Sequence, residues 1–104
     1  MDAALRAIAE PHRHEIIRLV WSTELPAGEI AGRFKEVSRP AISQHLRVLV
    51  DAGLLSERRE GTRRLYRARR DRIQHLRASL DSFWTDRLGA LKAVAEREAK
   101  RKRA

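Results

Sequence analysis

Ser43, Gln44 and Arg47 stand close together in the stretch S-R-P-A-I-S-Q-H-L-R-V-L-V-D-A-G, residues 38–53. A hydroxyl, a carboxamide and a guanidinium, with no carboxylate before Asp51, make a short hydrogen-bonding set that suits the edges of bases in a major groove. Ser38, Arg39 and Pro40 precede the set. His45 lies at its flank, where it serves either as a base or phosphate contact or as a packed histidine. A second set follows: between Leu55 and Arg72 there are eight arginines, including Arg58, Arg59, Arg63 and Arg64, against Glu57, Glu60 and Asp71. The planar guanidinium fork matches phosphate oxygens and guanine better than a lysine point charge does. Together the two sets point to a polyanion, with double-stranded DNA as the expected partner.

Chemistry of other kinds finds no support. No serine sits in a G-x-S-x-G context, and the carboxylates lie among Arg and Lys as solvated ion pairs would, so no catalytic residue and no cofactor are expected. Cysteine is absent, which removes disulfides and thiolate metal sites. His12 and His14 are two residues apart on an expected helix and point to different sides, so no metal ligand set is assigned. His75 reads as a surface histidine.

These residues need elements to position them. Ser38 can cap a helix and Pro40 falls in its first turn, while Gly53 can end it in the left-handed conformation with Leu54 folding back on Leu49. Between these signals Ile42, Leu46 and Leu49 form an apolar stripe opposite Pro40, Ser43, Gln44 and Arg47. Upstream, Ala27, Ile30, Ala31 and Phe34 step at helical spacing and predict a short helix to Phe34. Residues 26–53 thus read as helix, turn, helix. After Gly53 the pattern becomes extended, and Gly61 with Thr62 marks a reversal, so residues 55–69 read as an arginine-rich two-stranded wing.

Two further helices frame this core. Asp2 can cap a first helix with Leu5 and Ile8 on one side, over residues 1–9, and a second helix begins at Pro11 and runs to about Trp21. Asp71 with Gln74 resembles a capping box for the longest helix, 71–98. Along it Ile73, Leu76, Leu80, Phe83, Trp84, Leu88, Leu91 and Val94 step by three or four and make a seam of about six turns. The economical partner for that seam is its copy in a second subunit, joined by Leu5 and Ile8, which gives a homodimer. Residues 99–104 are expected to be a frayed basic tail.

The chain, 104 residues with 23 Lys and Arg against 14 Asp and Glu and a net charge of +9, is expected to be a single domain, 1–104. With neither a signal peptide nor a transmembrane stretch in view, a soluble cytoplasmic protein that does not bind membranes is expected. The fold class is mainly α with a small β-hairpin: about five helices and a two-stranded wing.

In this order the segments A-I-A-E-P-H-R-H-E-I-I-R-L-V, S-R-P-A-I-S-Q-H-L-R-V-L-V-D-A-G-L-L and R-R-E-G-T-R-R-L-Y resemble the ArsR/SmtB family of winged-helix bacterial repressors. The resemblance spans nearly the whole chain. It implies a homodimer with the first and last helices at the interface, binding an imperfect palindrome and repressing transcription, often of its own operon. By position, Ser43, Gln44 and Arg47 would act from the recognition helix and Arg63 and Arg64 from the wing. The family's E-L-C-x-C-D-L metal motif is here G-E-I-A-G-R-F, and its Asp/His pattern in the last helix is not reproduced around Asp71 and His75. The chain therefore resembles the cysteine-free, non-metal-sensing branch of the family, and its residues specify no small-molecule effector. Two other readings remain open at this level: a winged-helix protein-interaction module without DNA readout, and a sensor with an effector site near Phe83 and Trp84.

Overall fold

The helix α4 (Arg39–Asp51) lies between the two expected signals, in a computed structural model that describes residues 2–103. Ser38 is extended, with φ −67° and ψ 154°, and its hydroxyl accepts the Ala41 N–H at 3.2 Å. At the other end the Leu54 N–H donates to Leu49 O at 3.0 Å and the Gly53 N–H to Val50 O at 2.9 Å. That is the paired bonding of a Schellman stop, and it needs a left-handed residue at Gly53, whose φ is +78°. An L side chain in this conformation costs roughly 1–2 kcal/mol. A Cβ there would also stand 2.6 Å from Arg72 Nη1, although the end of that guanidinium can swing aside. Gly53→Ala is therefore expected to lower the unfolding free energy by about 1–2 kcal/mol, read as a reduced denaturant midpoint at unchanged slope. An unchanged midpoint would mean that the turn does not depend on Gly53.

The described residues form two units divided after Ile73. In the first, α1 (Asp2–Ala9) and α2 (Pro11–Leu19) precede a strand β1 (Leu25–Pro26), then α3 (Ala27–Gly32), α4, the strands β2 (Leu55–Glu60) and β3 (Arg63–Ala68), and the start of α5 (Arg70–Arg103). Ile16, Ile17 and Val20 from α2 and its end, Ile30 from α3, and Ile42, Leu46 and Leu49 from α4 are all buried, as are Leu54, Leu55, Leu65 and Tyr66. The expected stripes of α2 and α4 are thus the core. The Ala68 N–H donates to Val20 O at 3.0 Å and the Arg69 N–H to Leu54 O at 2.8 Å, so the exit of the hairpin is tied to the ends of both α2 and α4.

Several expectations are corrected. The expected two-stranded wing is present as β2 and β3, but a third strand not expected joins it in the order β1-β3-β2, because Leu25 and Pro26 pair antiparallel with Tyr66 and Leu65. Two residues are too few to show a period, and a proline before a helical pattern reads as a helix start; here Pro26 is extended, at φ −72° and ψ 152°, and precedes α3. α2 stops at Leu19 rather than near Trp21, and α3 stops at Gly32 rather than Phe34, which follows in a turn with its N–H on Ala31 O at 3.2 Å. α5 starts at Arg70, which places Asp71 inside the first turn as a favourable charge for the helix dipole and not as a cap. Residues 99–103, expected to fray, are helical through Arg103, with Glu98 paired to Arg101 at 3.1 Å. The Asp2 cap concerns a side chain outside those described.

The second unit is the rest of α5 alone, not another fold. Leu76 is buried and Leu80 half-buried, whereas Phe83, Trp84, Leu88, Leu91 and Val94 are between 48% and 65% exposed. Phe83 and Trp84 meet edge to face at 5.7 Å, and Arg87 stands 5.0 Å over the Phe83 ring.

Candidate nucleic-acid interface

Burial of Ile42, Leu46 and Leu49 turns the opposite face of α4 outward. Arg39, Pro40, Ser43, Gln44 and Arg47 are exposed on it. Arg47 has one ion-pair partner among the described residues, Asp51 at 3.9 Å, and both are more than 60% exposed. Such a surface pair is worth little, so the guanidinium remains available to a ligand.

The wing is set by its turn. Gly61, at φ +62°, is the first of two residues between Glu60 and Arg63, and among the described residues only glycines have positive φ, so the hairpin follows the II′ pattern. Register then pairs Glu57 with Tyr66 and Arg59 with Arg64 on one face. Tyr66 donates its phenolic O–H to Glu57 Oε2 at 2.9 Å, and Arg64 Nη1 lies 3.8 Å from the same oxygen. Burial pushes the Tyr66 phenol above its usual range and the Glu57 carboxylate raises it further, against the weaker opposing effect of Arg64. It therefore stays a donor. Arg59 and Arg64 stand directly opposite each other, a like-charge pair that disfavours the bare hairpin and that an anion relieves.

A groove of about 480 Å³ joins the two elements. Pro40, Ser43, Gln44 and Arg47 line it from α4, and Glu57, Arg64 and Tyr66 from the wing. Residues widely separated in sequence thus meet on one concave surface, with hydrogen-bonding groups on one wall and a guanidinium on the other.

Other expected contacts are placed differently. Arg58, on the reverse face of the hairpin, is held by Glu24 through a two-pronged ion pair at 2.8 and 2.6 Å and by Glu60 at 3.0 Å. The Arg58 hydrogen bond holds the Glu24 carboxyl below its usual range, and Arg58 is raised in turn. This clamp fastens the wing to the loop before β1. Arg59 and Arg63 are exposed and have no ion-pair partner among the described residues, and Thr62 lies exposed at the tip beside Gly61. His45 faces α2: its side chain is 20% exposed, its Nδ1 is 3.8 Å from Glu10 Oε2, and its ring stacks on His12 at 5.6 Å.

Sequence reasoning missed Glu24, Glu57 and Tyr66 as organisers of the site. For Glu57 and Tyr66 a signal existed: counting back from a two-residue turn at Gly61 and Thr62 places them opposite each other. Nothing local links Glu24 to Arg58.

The geometry agrees with what this chain is similar to. A helix-turn-helix domain family matches residues 8–58. The HTH-type transcriptional regulator Rv2034 of Mycobacterium tuberculosis is 44% identical over 84 residues, covering 81% of this chain and 78% of that one. The transcriptional repressor SdpR of Bacillus subtilis is 38% identical over 61 residues, covering 59% and 67%. Among solved structures, a possible transcriptional regulator for arsenical resistance superposes with a TM-score of 0.72 at 43% identity, covering 86% of this chain and 95% of that one. An ArsR-like regulator from Rhodococcus sp. RHA1 gives 0.72 at 29% identity, covering 90% and 91%. The exposed polar face of α4, the arginine wing and these relatives together place the chain in the ArsR/SmtB family of winged helix-turn-helix transcriptional regulators.

Proposed function

We propose that this regulator is a cytoplasmic homodimeric repressor that binds an imperfect palindrome, placing α4 in the major groove and the wing on the phosphate backbone. The observation that carries the reading is the groove, where Ser43, Gln44 and Arg47 face the same space as Arg64. Ser43, Gln44 and Arg47 contact base edges; Arg39 and the N-terminal turn of α4 sit against phosphates; Arg59, Arg63 and Arg64 supply the salt-dependent term. Arg58 acts indirectly, by holding the wing in place.

Dimerisation rests on α5. A lone helix with five large apolar side chains between 48% and 65% exposed is unsatisfied, and a second copy of the same seam, with Leu5 and Ile8, is the partner its periodicity fits. The two-fold then sets half-sites about one helical turn apart, ~34–36 Å.

Arg64→Ala tests the wing. It is expected to weaken binding to all duplexes to a similar degree and to reduce the slope of log K against log salt by about 1 per subunit. A slope equal to that of the wild type would remove the wing from the interface.

A further inference from the structure

Three potential metal ligands converge where α2 meets α4. Glu10 caps α2, accepting the Arg13 N–H on Oε2 at 2.9 Å, and its Oε1 meets His12 Nδ1 at 2.8 Å. His45 approaches the same carboxylate from α4, and the two imidazoles stack with planes 22° apart. One donor atom from each of the three residues lies within 4.8 Å of the others. Neither the α4 reading face nor the wing uses this cluster.

We propose that Glu10, His12 and His45 form a binding site for a divalent cation of the zinc class, bridging the N-terminus of α2 to the recognition helix. Tetrahedral coordination with bonds of about 2.1 Å holds donors about 3.4 Å apart. The Glu10–His12 contact, at 2.8 Å, opens to reach that spacing, and donors as far apart as 4.8 Å close by about 1.4 Å. His12 makes that adjustment, because its side chain is 45% exposed. The same exposure gives the ion an entry path, since His12 borders a surface hollow it shares with Phe34 and Lys35. On binding, the neutral His12 ring takes the tautomer that carries its hydrogen on Nε2, so that Nδ1 is free to become a ligand and no proton is lost overall. Water completes the fourth position.

The donor set selects the ion. Two imidazoles and one carboxylate suit zinc, nickel or cobalt, whereas magnesium and calcium prefer oxygen ligands alone. Arg13 strengthens that choice: its Nε is 3.8 Å from Glu10 Oε2 and opposes any cation that relies on charge alone. The site uses no residue of α3, where the family's cysteine motif is replaced by G-E-I-A-G-R-F.

The test is titration of the full chain with zinc chloride by calorimetry and with cobalt chloride by visible absorption. The wild type is expected to bind one ion per chain and to show the absorption of a nitrogen- and oxygen-ligated cobalt site. His12→Ala should weaken binding by about tenfold or more, since the loss of a mere supporting partner already costs ~10–100-fold. Its metal-free melting temperature should stay near that of the wild type, because the Glu10 cap on Arg13 N–H does not involve His12. Glu10→Gln should also lose the site, while His75→Ala should bind as the wild type does. Failure of the wild type to bind stoichiometrically, wild-type affinity in His12→Ala, or an equal loss in His75→Ala would each overturn the assignment.

Discussion

Leu88→Glu is expected to convert the protein from dimer to monomer and to weaken operator binding by about 10²-fold or more, the loss that follows when two linked contacts become one. The argument runs from exposure. Leu88 is 59% exposed within α5, so a charge there disturbs little in a single chain. Between two copies of the seam the same substitution would bury two carboxylates face to face, which costs several kcal/mol. Helix content by circular dichroism should be retained while sedimentation shows half the mass. A variant that remains dimeric would show that another surface joins the subunits.

The second large effect belongs to Gln44. Its carboxamide is exposed on α4 and lines the groove between helix and wing. A good bidentate contact discriminates against a wrong base by ~1–3 kcal/mol, so Gln44→Ala should flatten the preference at one position of each half-site by that amount and leave other positions alone. The salt dependence should not change, because no phosphate contact is lost. A uniform loss across all base substitutions would instead assign Gln44 to the backbone. Read beside Arg64→Ala, which acts on every sequence alike, the pair separates readout from attraction.

What the sequence made legible was whatever is encoded locally. Ser38, Gly53 and the Ile42–Leu46–Leu49 stripe define α4 within one stretch of chain, and each acts in the structure as its chemistry implies. Gly61 likewise announces the hairpin. The two-residue strand β1 left no period to read and exists only because β3 offers it an edge. The Glu24–Arg58 clamp spans 34 residues and the Glu10–His45 approach crosses from α2 to α4. Such pairings are set by the way the helices pack, not by spacing, and no residue pattern announces them. His12 shows the difference most sharply: judged against His14 it points away from a partner, yet folding brings His45 to its ring at 5.6 Å.

The helix ends illustrate a subtler limit. Phe34 continues the helical spacing of Ala27, Ile30 and Ala31, but α3 stops at Gly32, and Phe34 packs edge-on against His12 at 5.9 Å. Periodicity marks which residues face inward, and a turn can satisfy that demand as well as a helix can.

The central claim is that α4 and the wing form one DNA-reading surface presented twice. Footprinting of the purified protein on the DNA upstream of its own reading frame tests it most directly. Two protected segments about one helical turn apart, related by an imperfect two-fold and lost together in Leu88→Glu, are the predicted result. Absence of any protection at low salt, where the phosphate term is strongest, would contradict it.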